Sequence, residues 1–412
     1  MPKDFQERLF PLLPGIIKQF GTPFYIHDEV GIRDNCRQMN LLLGSVSPSY
    51  RNFYAVKANP VPRILKIVSE EGMGFDCSST PELVLARIMR TKPDGIMFSS
   101  NNTSAKEYAE AFADGGCILN LDDLDYLRKI PQTPEMISFR YNPGSLRDGN
   151  EIIGRPEEAK YGVRDDLIVE AYRQALNKGI KQFGLHTMIC SNQRDYRYMV
   201  QTVKMILEVA DRLYVNLGIR LKFVNIGGGF GIPYKPDDQT FDLQSFAGEA
   251  KMEFLHFQGK CGFCPSLFTE CGRYVTGPFG VLVTEVINRP TSKYKNYVGV
   301  DACMANLMRP GMYGAYHHVY VEGDNNGKGT EVADVVGSLC ENCDKFTIDR
   351  NLSITKEGDR LIIANGGAHA SAMGFNYNGR LACQELLLRE DGVAELIRRA
   401  ETTEDYFSTF IF

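Results

Sequence analysis

The chain has 412 residues, of which 43% are hydrophobic and 24% charged, an ordinary globular composition that is long enough for two domains and a large core. The formal net charge is −5 and no basic run occurs, which argues against a nucleic-acid partner. The amino terminus lacks the pattern of a secretory signal, and no apolar run approaches the roughly 20 residues that span a bilayer, so a cytoplasmic protein with no membrane partner is expected.

An apolar stretch, TPFYIHD, lies near the amino terminus and precedes a series of short apolar segments that end in polar or glycine-rich tips. Amphipathic helical patterns, such as PELVLARIMR and RYMVQTVKMILEVADRL, lie between these segments. Strands that alternate with helices predict a parallel sheet, and eight such units predict a closed (β/α)8 barrel of the TIM type. The eight strand ends are predicted at 53–60, 73–79, 94–100, 116–122, 136–142, 182–190, 221–229 and 266–273.

After about residue 275 the pattern changes to strands that are separated by turns. Segments such as VLVTEVINRP, HHVYVEG and DRLIIANGG predict an antiparallel β domain. The Gly- and Asn-rich stretch GDNNGKGTE predicts a solvent-exposed turn. We therefore expect an N-terminal segment at 1–30 that joins the β domain, a barrel at 31–275 and the C-terminal β domain at 276–412.

The eleven cysteines are too sparse for a disulfide scaffold, and their number is odd, so reduced thiols are expected. Two CxxC pairs occur, Cys261/Cys264 and Cys340/Cys343. They are much farther apart than the pairs of a zinc ribbon, and no histidine lies at ligand spacing beside either pair. No metal site is therefore predicted.

Lys57 lies at the exit of the first barrel strand, in FYAVKANP. Active sites of such barrels lie at the carboxyl ends of the strands. Burial there is expected to lower the pKa of the lysine and to favour the neutral amine, which can form a Schiff base with an aldehyde cofactor. Alone, the residue could equally be a lysine that extends from the barrel rim to solvent.

A glycine-rich run, Asn225 to Gly231, follows the seventh strand. Successive glycines let backbone amides approach an anion closely, although the spacing matches neither a P-loop nor a good dinucleotide fingerprint. Phosphate sites recur in the loops after strands seven and eight of a barrel, so phosphate binding is favoured over a simple tight turn.

The eighth strand ends in Glu270-Cys271-Gly272-Arg273. A carboxylate at this place can keep a pyridine nitrogen protonated, and an arginine can pair with a substrate carboxylate. The alternative is a structural ion pair at a strand end. A lysine, a glycine loop, a carboxylate and an arginine at strand ends together indicate a pyridoxal 5'-phosphate site.

The sequence resembles the pyridoxal-phosphate-dependent decarboxylases of the alanine racemase/ornithine decarboxylase fold type, and most closely the diaminopimelate decarboxylases. The resemblance extends over nearly the whole length. It is carried by FGTPFYIHDEVGIR, FYAVKANP, GFDCSSTPEL, FRYNPG, NIGGGFGIPY, ECGR, MRPGMYGAYHH, GSLCENCDKF and GFNYNGR.

The resemblance implies a role for each matching residue. Lys57 would join covalently to the cofactor, and Cys340 would share the catalytic chemistry. Cofactor contacts are implied for Asp76, His186, Ser191, Gly227, Gly228, Gly229, Glu270, Gly272 and Tyr377. Substrate contacts are implied for Arg273, Arg309, Tyr313 and Glu341. In this family Cys340 and Glu341 reach the active site of the neighbouring subunit, which implies a homodimer with shared active sites.

The implied reaction is decarboxylation of meso-2,6-diaminopimelate at its D-centre to L-lysine and carbon dioxide, the last step of lysine biosynthesis. Arg309 favours this substrate because a dicarboxylic amino acid needs a cation for its second carboxylate. The alternatives are a decarboxylase of a related basic amino acid, such as D-ornithine or D-lysine, and a non-catalytic homologue that binds the cofactor.

The sequence departs from the family pattern at three places. Relatives commonly carry GLHxHIGSQ where this chain has GLHTMICSN, so Met188 replaces the histidine expected on the cofactor ring face. Cys271 replaces a proline, and the family's RPRP-like run is missing after Tyr377. The thioether of Met188 can pack against a ring, but we expect it to make no hydrogen bond.

Overall fold

The computed structural model describes residues 1–150, 152–290, 292–323 and 329–412. Residues 324–328, at the centre of the predicted GDNNGKGTE turn, lie outside this range. No helix in the described ranges is long and apolar enough to cross a membrane.

The helices and strands follow one another along the whole chain. The helices are α1 Lys3–Leu9, α2 Leu13–Phe20, α3 Glu29–Leu43, α4 Pro62–Glu70, α5 Thr80–Ile88, α6 Ala105–Ala111, α7 Ile168–Asn177, α8 Tyr196–Leu217, α9 Leu243–Cys261, α10 Arg273–Thr276, α11 Arg309–Tyr313 and α12 Thr403–Phe407. The strands are β1 Phe24–Asp28, β2 Arg51–Ala55, β3 Gly74–Cys77, β4 Ile96–Phe98, β5 Ile118–Leu121, β6 Met136–Asn142, β7 Val163–Arg164, β8 Gln182–Thr187, β9 Phe223–Asn225, β10 Ser266–Thr269, β11 Gly280–Asn288, β12 Asn296–Val300, β13 Val319–Val321, β14 Thr330–Val336, β15 Lys345–Ser353, β16 Arg360–Ile363, β17 Gln384–Leu388 and β18 Ala394–Arg398.

The chain forms two compact units. The β unit comprises Met1–Ile32, Pro233–Asp238 and Thr276–Phe412. The barrel unit comprises Arg33–Ile232 and Gln239–Val275. The short segment Pro233–Asp238, which follows the glycine run, thus belongs to the β unit.

Parallel strands close the barrel unit. Within the described residues the order is β2-β3-β4-β5-β6-β8-β9-β10, and β10 pairs with β2. Each of these strands corresponds to one of the eight predicted apolar segments, so the predicted barrel is confirmed. Aromatic side chains such as Phe53, Phe223 and Phe268 fill part of the interior, with the last two stacked at 4.5 Å between ring centroids. The polar strand tips form the carboxyl end of the barrel.

The β unit is built on a mixed sheet with the order β15-β14-β12-β11-β1-β17-β18, and β16 pairs with both β11 and β13. The N-terminal strand β1 joins this sheet, as predicted. Most neighbouring pairs are antiparallel, but β1 runs parallel to β17 and β12 runs parallel to β14. The parallel pairs arise because the partners are far apart in sequence and are not joined as hairpins.

Candidate active site at the carboxyl end of the barrel

Lys57 follows β2 in a single 3-10 turn, Val56–Ala58. Its Nζ lies 3.3 Å from Oδ2 of Asp76, a residue of the neighbouring strand β3. The Asp76 carboxylate is almost completely buried, whereas the Lys57 side chain is 52% exposed. The amine is therefore anchored by a buried charge while the side chain stays accessible.

The prediction that Lys57 is a neutral amine is wrong. Burial does favour the neutral amine, but Asp76 and then Glu270 favour the ammonium, and the net effect raises the pKa. These carboxylates come from other strands and could not be assigned to Lys57 from its local sequence. The ammonium is thus the resting form, and its proton must leave before the nitrogen can bond to an aldehyde.

The Glu270 carboxylate lies directly after β10 and is held from two sides. Nε2 of His186 is 3.1 Å from Glu270 Oε2, and Nδ2 of Asn225 donates to Oε1 at 2.8 Å. The buried amide of Asn52 fixes the backbone beside Glu270, because its Oδ1 accepts from the Cys271 N–H at 2.8 Å. This carboxylate therefore has a fixed orientation.

Glu270 is also electrostatically tuned. Burial alone would raise its pKa, but His186, Lys57 and Arg140 stabilise the charged form and lower the pKa to about 2. At Asp76, burial and the charge of Glu270 both favour the neutral form, and they raise the pKa to about 7. Of the two buried carboxylates, Glu270 is the one that remains ionised at all ordinary pH values, as the partner of a protonated ring nitrogen must.

The glycine run has the backbone expected of a close-approach loop. Gly227 and Gly229 have φ values of +70° and +109°, which disfavour other residues. A Cβ atom on Gly228 would lie 2.8 Å from the carbonyl oxygen of Glu270. The Gly227 N–H donates to Asn225 Oδ1 at 2.8 Å, so Asn225 joins the loop to the Glu270 carboxylate.

Arg273 and Ser191, two further predicted residues, lie close to each other. Arg273 Nη2 lies 3.5 Å from the Ser191 Oγ, at the limit of a hydrogen bond. Gly272 packs against the turn that carries Lys57, because a Cβ there would lie 2.5 Å from Cβ of Ala58. Met188 lies directly after β8, and its Sδ accepts from the Gly228 N–H at 3.3 Å, so the expectation that this thioether makes no hydrogen bond is wrong.

A buried ion pair, to which no role was assigned from the sequence, lies at the ends of β5 and β6. Arg140 Nε lies 2.9 Å from Asp122 Oδ1, and the guanidinium lies 4.8 Å from the ring centroid of Tyr161. The β-sheet register places Arg140 beside His186 and His186 beside Asn225. The sequence predicts Arg140 at the carboxyl ends of the strands, and the position of Asp122 at the end of a predicted strand could have indicated it too, but no local pattern indicates Tyr161.

The remaining predicted residues lie in the β unit. Arg309 begins α11, and its Nη1 donates to the Tyr234 hydroxyl at 2.9 Å. Tyr377 donates to Glu341 Oε1 at 2.9 Å. Cys340 is exposed, and Tyr313 is 64% exposed. The β unit thus presents Cys340, Glu341 and Tyr377 on its surface rather than in its core.

The barrel residues fit pyridoxal phosphate. They combine an accessible lysine, a permanently ionised carboxylate and a glycine loop whose backbone tolerates no side chains. These are the groups needed for the aldehyde, the ring nitrogen and the phosphate. By contrast, the described residues contain no group of three or more His, Cys, Asp or Glu side chains that could hold a metal ion.

Comparison with known proteins agrees with this geometry. Residues 30–277 match the family model of the pyridoxal-dependent decarboxylase, pyridoxal binding domain. The chain belongs to this family. It is a pyridoxal-phosphate-dependent decarboxylase that resembles diaminopimelate decarboxylases, and the resemblance and cofactor inferred from the sequence are confirmed.

Full-length relatives extend the similarity to the β unit. "Protein TabA" of Pseudomonas amygdali pv. tabaci is 42% identical, with 98% of this chain and 94% of the relative covered. The diaminopimelate decarboxylase of Methanothermobacter thermautotrophicus is 35% identical, with coverages of 94% and 91%. The crystal structure of diaminopimelate decarboxylase from M. jannaschii in co-complex with L-lysine has a TM-score of 0.89 at 28% identity, with coverages of 97% and 94%.

Proposed function

We propose that this decarboxylase converts meso-2,6-diaminopimelate to L-lysine and carbon dioxide by removing the carboxylate at the D-centre, the last step of lysine biosynthesis. The observation that carries the proposal is Arg309, whose guanidinium is held in place by Tyr234 and is suited to a second substrate carboxylate. Two relatives support it: one is named for this reaction, and the other is a diaminopimelate decarboxylase with bound L-lysine.

The barrel residues, with Tyr377 of the β unit, would hold the cofactor by its aldehyde, its ring nitrogen and its phosphate. Lys57 Nζ would take the aldehyde, Glu270 would accept the ring N–H, and the glycine loop with Ser191, Gly272 and Tyr377 would hold the phosphate. Bound pyridoxal phosphate supplies an electron sink for the electron pair left when carbon dioxide departs. His186 and Asn225 orient the Glu270 carboxylate, and His186 helps to keep it ionised.

Lys57 and Cys340 are the candidate proton donors. Asp76 stabilises the Lys57 ammonium at 3.3 Å, so Lys57 Nζ can store a proton beside the reacting carbon. Cys340 is the second candidate donor because its thiol is exposed. Either group could return a proton to the α-carbon after decarboxylation.

The distal end of the substrate would be bound by Arg309 and Arg273, with Tyr313 and Glu341. The arginines would pair with the retained carboxylate, and Glu341 would pair with the amine beside it. Because Cys340 and Glu341 are exposed on the β unit, we propose that they serve the active site of a second subunit in a homodimer. Location in the cytoplasm remains a prediction.

A second candidate is a decarboxylase of a related amino acid, such as D-ornithine or D-lysine. It is favoured by Met188 in place of the family histidine, and the relative with 42% identity, Protein TabA, is not named for diaminopimelate. The two candidates differ in the distal carboxylate, which only diaminopimelate has.

Carbon dioxide release from meso-diaminopimelate, D-lysine and D-ornithine by the purified holoenzyme tests the proposal. Diaminopimelate should be turned over with the highest kcat/KM. Arg309→Ala should raise KM for diaminopimelate roughly 10- to 100-fold, because the substrate carboxylate loses its charged partner. Arg389→Ala, at a surface ion pair with Asp391, is the matched control and should leave KM unchanged. An unchanged KM in Arg309→Ala would remove the support for a dicarboxylic substrate.

A further inference from the structure

A buried histidine lies between Arg309 and the backbone of the β unit. His317 is completely inaccessible to solvent. Its Nδ1 lies 2.8 Å from the carbonyl oxygen of Ala364, and its Nε2 lies 3.0 Å from Nη1 of Arg309. One ring nitrogen therefore faces a carbonyl oxygen, which can only accept a hydrogen bond. The other faces a guanidinium, which can only donate one.

These two partners determine the protonation state of the ring. A carbonyl oxygen accepts, so Nδ1 must carry the hydrogen, whereas a guanidinium donates, so Nε2 must offer its lone pair. His317 is therefore the neutral Nδ1–H tautomer, inferred from its partners. A neutral acceptor holds the arginine without cancelling its positive charge, which a carboxylate at the same place would do.

A second neutral acceptor acts on the same nitrogen. The Tyr234 hydroxyl accepts from Arg309 Nη1 at 2.9 Å, and the guanidinium lies 4.8 Å from the centroid of the Tyr234 ring. The rings of Tyr234 and His317 meet edge to face at 5.2 Å. The Tyr234 segment is itself tied to the β unit, because Asn365 Nδ2 donates to the Pro233 carbonyl at 2.9 Å. The two acceptors therefore fix the direction of the guanidinium plane.

We propose that His317 is a positioning residue that orients Arg309 for the second carboxylate of the substrate and thereby selects dicarboxylic amino acids. This role rests on the proposed function, in which Arg309 binds that carboxylate. Guanidinium–carboxylate pairing is strongly directional, so a guanidinium that can rotate binds a carboxylate less tightly. His317 acts only through Arg309 and takes no part in the bond-breaking step.

Two replacements separate the two contacts of the ring. His317→Asn places an amide near the position of Nδ1, so it can still donate to Ala364 but is too short to reach Arg309. His317→Gln is one methylene longer and can present a carbonyl oxygen to Arg309. The neighbouring His318, whose Nδ1 contacts the Tyr316 hydroxyl at 3.1 Å, provides the matched control His318→Asn. Tyr234→Phe removes the second acceptor without removing the ring.

The measurements are KM and kcat for meso-diaminopimelate, and calorimetric binding of L-lysine and 1,5-diaminopentane to the holoenzyme. L-lysine keeps the distal carboxylate, whereas 1,5-diaminopentane lacks it. His317→Asn should raise KM and the Kd of L-lysine roughly tenfold, as expected when a hydrogen bond to a charged group is lost. Its kcat and its Kd for 1,5-diaminopentane should change less than about twofold, since neither involves Arg309.

His317→Gln should restore most of the affinity for L-lysine, Tyr234→Phe should show the same carboxylate-specific loss, and His318→Asn should match the wild type. Equal losses for the Asn and Gln variants, or equal losses for the two ligands, would overturn the positioning role. If His317→Asn does not fold, the ratio of the Kd for L-lysine to the Kd for 1,5-diaminopentane in Tyr234→Phe and His317→Gln decides whether His317 positions Arg309. A wild-type enzyme that releases no carbon dioxide from diaminopimelate would refute the proposed function, but the L-lysine ratio would still decide whether His317 positions Arg309.

Discussion

Replacing Asp76 by asparagine should remove a pH dependence from the stability of the cofactor-free protein. Asp76 is almost completely buried, lies 3.3 Å from Lys57 and is close enough to Glu270 to be affected by its charge. Burial and then Glu270 raise its pKa from the ordinary value of 3.8 to about 7. The folded protein therefore holds a proton on Asp76 over a pH range in which the unfolded chain has already released it.

The sign and size of the effect follow from this shift. A carboxyl group with a raised pKa in the folded state stabilises that state fully below pH 4, and this stabilisation is lost as the pH rises through about 7. A shift of roughly three units at 1.36 kcal/mol per unit corresponds to about 4 kcal/mol in the free energy of unfolding. The steepest loss is about 1.4 kcal/mol per pH unit, for the release of one proton.

Urea unfolding of the cofactor-free protein from pH 5 to pH 8 measures the effect as the difference between wild type and Asp76→Asn. The wild-type protein should lose stability relative to the variant as the pH rises, and the difference should level off above pH 7. The exposed Asp34 provides the control, and Asp34→Asn should run parallel to the wild type. Parallel curves for wild type and Asp76→Asn, or a difference of opposite sign, would refute the assigned titration.

Three other predictions concern the cofactor and the assembly. Lys57→Ala should abolish both turnover and the visible absorption band of the lysine-linked cofactor, and full activity in that variant would refute covalent attachment. If Cys340 is the proton donor, Cys340→Ala is inactive alone, and a 1:1 mixture of Lys57→Ala and Cys340→Ala subunits, after exchange, should recover about a quarter of wild-type activity, because half of the dimers are mixed and each has one intact shared site; no recovery from two inactive variants would contradict shared sites. Met188→Leu should change pyridoxal phosphate affinity less than about twofold in a spectrophotometric titration, because a thioether is a weak acceptor for the Gly228 N–H; a loss above about tenfold would show that the sulfur contact matters.

The sequence predicted the barrel well because its strands are buried on both faces and therefore appear as short apolar runs. Their ends, such as Lys57 after β2 and Glu270 after β10, are where the polarity changes abruptly. Parallel strands bring all these ends to one face, so a list of strand ends is also a list of candidate site residues. For this reason the chemistry of the barrel could be proposed before its geometry was known.

The β unit was less predictable from local patterns. Strands β15, β17 and β18 were not among the predicted segments, and β17 pairs in parallel with β1, more than 300 residues away in the chain. β15 has many partly exposed positions and lacks a continuous apolar run. Such strands are defined by their partners in the sheet rather than by their own sequences.

The charge state of the site is also a property of the assembled barrel. Lys57 alone suggested a neutral amine, but Asp76 and Glu270, which flank it in the fold, make it an ammonium. The same assembly decides which carboxylate is ionised: the contacts from His186 and Asn225 fall on Glu270, and none of them falls on Asp76. Two carboxylates with the same sequence signature, a strand end after an apolar run, thus acquire different protonation behaviour from their neighbours. In the proposed function, that separation would let Glu270 serve as a permanent anion for the ring nitrogen while Asp76 holds Lys57.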